Sequence, residues 1–381
     1  PRVLYGSVKE NDSRRDRKGM SEKILKTLDD LYPDAIRKTK GRVSKIERLS
    51  TLNSYHKAWG VVRKTPEVMV KLGRSDVKDF PHIKAIADYI SRNGKLTLED
   101  KDGNLYQGKD EYSEILKNWR TQNEIPEQDE GKSFARRIIL SMPKGTDEKS
   151  FESACRLWAK DCLGDYDYLM TFHFEYSDKK TTHPHCHILL STLGKDKKRL
   201  HLTNVERAVL REHFAVCLNR FGIRANCTTR FVRGRTQRPA TQQEFNAAKR
   251  FKANKERAQV YAIAKKRKKT ELTNNQQARI NEASEAIRQG KDIPDHPAIK
   301  KQKKKRGDLL NKAKTAAGEL LQSQNPVHQE LGQRMSHFYK NLEPVESQQQ
   351  KIVRVFNEQK AERIRRMQAM KKRKKEQGNA R

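Results

Sequence analysis

The chain has 381 residues, 34% of them hydrophobic and 34% charged, with a formal net charge of +35, enough for two domains or for one domain with extensions. The basic surplus favours a polyanionic partner, nucleic acid first, a signal shared with ribosomal and packaging proteins. No apolar stretch approaches a membrane span and neither a lipidation motif nor a signal-peptide pattern is visible, so no membrane insertion is expected.

Cysteines stand at 155, 162, 186, 217 and 227. They are too dispersed for a disulfide framework and none forms a C-x-x-C pair, which predicts an intracellular, reduced protein.

Residues 1–64 are polar, with basic clusters at 14–18 and 37–42. Apolar residues at helical spacing predict a helix over 21–32, stopped at Pro33. The region is expected to be an arm or an accessory helix pair whose basic residues either touch a phosphate backbone or form a solvated face. A short strand follows over 67–73, and Asp79-Phe80-Pro81 starts a helix with proline in its first turn. Ile83, Ile86, Ala87 and Ile90 make that helix's buried stripe. Tyr89 falls on the flank of the stripe, near the azimuth of His82, with Arg92 one step round; its ring should rest on the protein with the hydroxyl toward an adjoining site. Residues 95–108 read as a hairpin turning at Asp102-Gly103, and 111–120 as a helix. Residues 136–142 read as a buried strand, and 150–163 as an amphipathic helix.

The stretch from Tyr168 to Ser191 places four histidines within fifteen residues. It reads as two strands joined by a polar turn near 178–182. Alternation puts Thr171, His173 and Glu175 on one face, and His185 and His187 share a face on the second strand. With the turn centred near residue 180, His173 lies opposite His187 and Glu175 opposite His185. Three imidazoles so gathered are suited to a divalent transition metal, with the carboxylate fixing a ring's tautomer. His183 has the right parity to compete with His173 as a ligand, although Pro184 interrupts the strand there. Cys186, of opposite parity, should face the core.

A helix over 202–221 closes at Gly222, and a basic tail runs to Arg238. From 65 to about 230 the order is strand, helix, hairpin, helix, strand, helix, hairpin, helix, which predicts an antiparallel sheet flanked by helices, an α+β fold. Residues 241–381 hold 35 Lys and Arg against 15 Asp and Glu, +20 of the total +35. Basic runs at 265–269, 300–306 and 371–375 alternate with Ala-, Glu- and Gln-rich segments, so an extended basic helical region with loose connections is expected rather than a second compact core. The expected organisation is an arm at 1–64, an α+β domain at 65–240 and a helical region at 241–381 for DNA binding or recognition by a partner.

Several separated stretches resemble one family. Residues 68–71, 82–94 and 98–103 are similar to the opening of conjugative relaxases of the T-DNA border endonuclease type, 138–147 to their middle motif, the histidine hairpin to their metal motif, and 222–226 with Arg233-Gly234 to the end of their nuclease domain. The resemblance covers roughly 65–238 and implies the HUH nuclease fold. It implies that Tyr89 is the nucleophile and that His173, His185 and His187 hold a divalent metal, Mg²⁺ or Mn²⁺. Two features depart from the family pattern: its H-x-D is His173-Phe174-Glu175 here, and the loop before the histidine pair is longer, which leaves open whether His183 takes the place of His173. Lys71, His82, Arg92 and Arg233 are the expected DNA contacts, and Glu175 the expected catalytic carboxylate.

The implied activity is site- and strand-specific nicking and closing of single-stranded DNA at a transfer origin through a 5′-phosphotyrosine link. The implied setting is the cytoplasm of a bacterial donor, with accessory DNA-binding proteins and a type IV secretion coupling protein as partners and passage of the DNA-bound protein to the recipient. Competing readings are a rolling-circle replication initiator or related transposase, and a non-catalytic nucleic-acid-binding protein with a structural metal.

Overall fold

The computed structural model describes residues 20–33, 35, 44–73, 77–177, 182–235 and 274–378, the side chains of 274–277 and 371–378 excepted. The basic clusters expected at 14–18, 37–42 and 265–269, most of the tail beyond Arg233 and nearly all of the polar turn at 178–182 lie outside the described residues, as do the side chains of the run at 371–375.

Two helices, α1 (Glu22–Leu31) and α2 (Ser54–Val62), precede the sheet. Each starts on a side-chain cap: Ser21 Oγ accepts from the Ile24 N–H and Asn53 Oδ1 from the His56 N–H, satisfying donors that the first helical turn leaves free. The chain then runs β1 (Met69–Leu72), α3 (Phe80–Ile90), β2 (Leu98–Asp100), β3 (Leu105–Tyr106), α4 (Gly108–Asn123), β4 (Ala135–Ser141), α5 (Glu148–Leu163), β5 (Tyr166–His173), β6 (His185–Gly194) and α6 (Asn204–Arg220). Strand, helix, hairpin, helix thus occurs twice, in the order read from the sequence. The strands form one open sheet in the order β1-β4-β6-β5-β2-β3, with antiparallel pairing throughout. The second repeat fills the centre, and the first supplies both edges.

Strand alternation sorts the two faces. Cys186, Ile188 and Leu190 of β6 join a core with Phe151, Cys155 and Trp158 of α5 and Leu210 and Phe214 of α6; Trp158 donates its indole N–H to the Leu210 carbonyl at 2.9 Å. Leu189 and Leu169 join the core on the opposite face, with Ile83, Ala87 and Ile90 of α3 and Tyr112, Leu116 and Trp119 of α4. The odd-numbered residues of β6 therefore look toward α3, and this is what brings His185 and His187 beneath that helix.

Four further helices follow: α7 (Asn274–Gln289), α8 (Pro297–Leu321), α9 (Pro326–Lys340) and α10 (Gln348–Gly378). Lys312–Lys340 joins the compact unit formed by the described residues up to Arg233, where Leu331, Met335 and Tyr339 are buried. The Tyr32 and Tyr339 hydroxyls lie 2.7 Å apart, and Tyr55 meets His328 edge to face. The loose helices expected over 241–381 are in this part a packed element of the first unit, because α1 and α2 carry apolar stripes that need cover. In the second unit, side chains of α7 reach α10 through Arg279–Gln348 and Glu282–Gln349 hydrogen bonds. Among the described residues no helix is long and apolar enough to cross a membrane.

Candidate active site

Helix α3 carries Tyr89 at its C-terminal end. Its start is fixed by Asp79, whose Oδ1 accepts from the His82 N–H at 2.9 Å; this bond and one to the His82 ring hold the Asp79 carboxyl below its ordinary value. Its end is fixed by three successive left-handed residues, Arg92 (φ 54°), Asn93 (φ 57°) and Gly94 (φ 82°). At Gly94 a Cβ would stand 2.9 Å from the Lys109 backbone nitrogen, so glycine is required there. Ser91 Oγ accepts from the Gly94 N–H, and the Asn93 N–H bonds the Asp88 carbonyl. This turn folds Arg92 back onto the tyrosine: its Nη1 reaches the Tyr89 carbonyl at 3.2 Å and its guanidinium carbon lies 5.3 Å from the ring centre. The Arg137 guanidinium approaches the same ring at 5.6 Å. Tyr89 is 53% exposed, and its ring meets that of His187 edge to face, 6.0 Å between centroids.

Beneath it three histidines converge. The ring centroids of His173, His185 and His187 lie 4.7–4.9 Å apart, and one potential ligand atom from each falls within 4.8 Å of the others. His173 Nε2 sits 2.7 Å from the Ile90 carbonyl. A carbonyl only accepts, so Nε2 bears a proton. His185 Nδ1 faces the His183 carbonyl at 3.3 Å and by the same logic donates to it. The His187 pKa is pushed down to about 2, by burial first and then by the neighbouring imidazoles and the Arg137 and Arg92 guanidiniums, so the ring is neutral. Its Nδ1 is buried with no hydrogen-bond partner. Three converging imidazoles, two turned onto backbone carbonyls and one neutral with an orphaned ring nitrogen, fit a divalent cation.

The strand register differs from the one expected. Thr171 pairs with His187 and His173 with His185, so the hairpin is centred one residue earlier and every pairing moves by two. Strand β5 ends at His173, and Glu175, expected opposite His185, falls in the connecting loop, where it is exposed and forms an ion pair with Lys144 at 2.8 Å. Glu175 is outside the group of converging ligand atoms. His183 is exposed, 5.9 Å from the His185 ring, and is outside that group as well.

Of the expected DNA contacts, Arg92 lies against Tyr89. Lys71 is exposed on edge strand β1; it pairs with Ile139, which pairs with His187, so it shares the histidine face about 10 Å away at two strand spacings. His82 has the right azimuth but sits in the first turn of α3, bonded to Asp79 at 2.7 Å and about 10 Å along the axis from Tyr89. Arg233 pairs with Glu67 at 3.3 Å and donates to the Thr228 carbonyl, fastening the end of the domain to the segment before β1. Arg137 was not singled out from sequence, because 136–142 reads as one buried strand; the alternation that places it on the histidine face needs the register with β6. All five cysteines are buried with free thiols, Cys186 in the core as expected.

A second group, Asp161, His213 and Cys217, also has converging ligand atoms. Both His213 nitrogens are already hydrogen-bonded, to the Ser50 carbonyl and to Asp161, and burial pushes the Cys217 thiol up to about 12. That group reads as a closed hydrogen-bond cluster.

An open antiparallel sheet covered by helices thus carries three imidazoles converging under a helix-borne tyrosine. Residues 89–223 match the family model described as "Relaxase: MobA/VirD2-like, nuclease domain", a match that begins at Tyr89 and takes in all three histidines. The matched stretch is similar to the nuclease domain of this family. It is 30% identical over 188 residues to the T-DNA border endonuclease VirD2 of Rhizobium radiobacter, covering 44% of this chain and 43% of that protein. The corresponding proteins of Rhizobium rhizogenes and Agrobacterium fabrum are 29% and 28% identical over 183 and 186 residues, covering 43% and 44% of this chain and 40% of each protein. The chain thus matches less than half the length of these curated relatives.

Proposed function

We propose that the protein nicks and recloses one DNA strand at the transfer origin of a plasmid or other mobile element, with Tyr89 as nucleophile. The observation that carries this reading is the exposed Tyr89 ring 6.0 Å from His187, over the converging imidazoles. When bound by His173, His185 and His187, a divalent cation, Mg²⁺ or Mn²⁺, supplies Lewis-acid polarisation of a nonbridging phosphate oxygen. The chain's own groups do the rest. The His187 ring, held neutral by burial, keeps its lone pair for ligation at physiological pH. Arg92 and Arg137 place two positive charges beside the phenol, where charge develops on the tyrosine oxygen and on phosphorus. Tyr89 Oη bonds to phosphorus as the bond to the 3′ oxygen breaks; the phenol gives up its proton and the 3′ oxygen leaves as a hydroxyl. One phosphodiester replaces another, so the reverse attack by the 3′ hydroxyl recloses the strand without an energy source.

The helices from α7 to α10, the basic surplus of residues 241–381 and the similarity to T-DNA border endonucleases support a larger role, in which the protein stays attached to the strand, is guided by accessory DNA-binding proteins and is recognised by a type IV secretion coupling protein. The test is incubation with a labelled single-stranded oligonucleotide spanning the element's own origin and Mg²⁺ or Mn²⁺. A covalent adduct mapping to the peptide that contains residue 89, and absent from Tyr89→Phe, is expected; undiminished adduct in Tyr89→Phe refutes the nucleophile. Titration of His187→Ala with Mn²⁺ should show weakened binding, and wild-type affinity there removes His187 from the ligand set.

A further inference from the structure

At the β1 edge of the sheet a groove of about 540 Å³ is lined by Val70, Lys71, Leu72, Gly73, Arg136, Arg207 and Arg211. Four of these side chains are cationic, and among the described lining residues none carries a carboxylate. Arg207 and Arg211 stand one turn apart on α6, so they point to the same side. Arg136 alternates with Arg137 along β4 and so faces away from the histidines, toward the α6 side. Lys71 belongs to the row Lys71, Ile139, His187, Thr171 that crosses the sheet on the histidine face. The groove therefore begins where the active face ends and continues around the edge strand. Clustered cations repel one another, and a bound anion relieves that repulsion. Guanidiniums match phosphate oxygens in a bidentate fork, and Val70 and Leu72 offer apolar contact to sugar or base.

We propose that this groove binds the phosphodiester backbone of single-stranded DNA, holding the strand that leaves the nick site after it passes Lys71 and turns round the sheet edge. The identity of the strand rests on the nicking reading; the groove's affinity for a single-stranded phosphate backbone does not. The probe is fluorescent (dT)₃₀, whose binding requires no nick sequence, measured by anisotropy over a salt series on the full chain. Arg207→Ala/Arg211→Ala is expected to weaken binding about 10-fold or more at low salt. Losing two phosphate contacts should also reduce the slope of log affinity against log salt by about 1.4, at roughly 0.7 per contact for a single strand. Arg207→Lys/Arg211→Lys should retain most of the slope. An equal loss from the exposed α5 pair Lys149→Ala/Lys160→Ala would reduce the effect to net charge and overturn the proposal, as would unchanged affinity and slope in the cavity variant.

A second readout needs no variant. Bound (dT)₃₀ should protect Arg207 and Arg211 of the wild-type chain from an arginine-selective reagent, and equal modification with and without DNA overturns the assignment. Protection by a duplex but not by (dT)₃₀ overturns the single-strand assignment. Failure of Tyr89→Phe to abolish the adduct would sink the nucleophile while leaving these results intact.

Discussion

Lys57 and Glu212 join α2 to α6 by an ion pair at 2.8 Å whose side chains are only 2% and 8% exposed. Lys57 Nζ also donates to the Pro33 carbonyl at 3.0 Å. Two charges so far from water compensate one another, and the contact bridges 155 residues of sequence. In Lys57→Met the hydrocarbon stem is replaced in kind while the carboxylate loses its counter-charge. Breaking such a pair costs about 3–5 kcal/mol. For a folded unit of this size, each kcal/mol lowers Tm by roughly 2–4 °C, so a fall of about 6–20 °C is expected. In Lys57→Met/Glu212→Leu no charge is left buried, and stability should return to within about 2 kcal/mol of the wild type. Differential scanning calorimetry of the single variants and the double variant gives the cycle directly. A Lys57→Met protein melting within 2 °C of the wild type would show that α2 is not built into the nuclease unit. A double variant as unstable as the single would show that the loss was packing, not charge.

Three other outcomes follow from the geometry. Asp79→Ala removes the cap of the helix that bears Tyr89 and should cost about 1 kcal/mol at pH 7 in urea melts. Because the folded-state carboxyl is held below its ordinary value, the contribution is present above the ordinary carboxylate range and is lost as pH falls through the folded value, so wild type and variant should converge in strong acid. Gly60→Ala should destabilise by roughly 1–3 kcal/mol, since its Cβ would run into the side chain of buried Asn226; Gly307→Ala, with open space in α8, should gain up to about 1 kcal/mol by thermal melting. In the presence of a chelator, burial of a His187 ring whose pKa is about 2 means that the unfolded chain takes up a proton that the folded chain refuses. Stability should therefore fall below about pH 6.5 at up to roughly 1.4 kcal/mol per pH unit, and His187→Gln should flatten that part of the profile.

The order of elements in the nuclease domain was legible because each is locally specified: a helix start at Asp79-Phe80-Pro81, turn glycines at Gly103 and Gly222, and apolar spacing of period two or near four. Tyr89 and the three histidines were legible because H-x-H on a strand and the motif order carry information without a structure. The register of the histidine hairpin was not, because shifting its centre by one residue keeps every side chain on its face while moving each partner by two; pairing with β4 and the packing of α3 decide it. Arg137 was hidden for a related reason, since only the ladder with β6 says which of two adjacent arginines looks toward the histidine face. The packing of Lys312–Lys340 with α1 and α2 was beyond reach because the contacting residues are some 300 positions apart, as in Thr27–Glu319, and nothing in either segment names the other.

The segment from Tyr89 to Gly94 then acquires a meaning that a motif match alone does not give it. One residue presents the phenol, the next turns its carbonyl onto His173 Nε2, and Arg92, held left-handed by the turn closed at Gly94, reaches back to the Tyr89 carbonyl and ring. The Ile90 carbonyl is among the last of α3 and lies at the negative end of the helix dipole, where it favours a donated N–H and raises the basicity of the opposite ring nitrogen. The proton on His173 and the position of the phenol are thereby set by one helix terminus. A displacement of α3 cannot move the tyrosine without also loosening the His173 ring, so the position of the phenol and the orientation of that imidazole are coupled by the backbone itself.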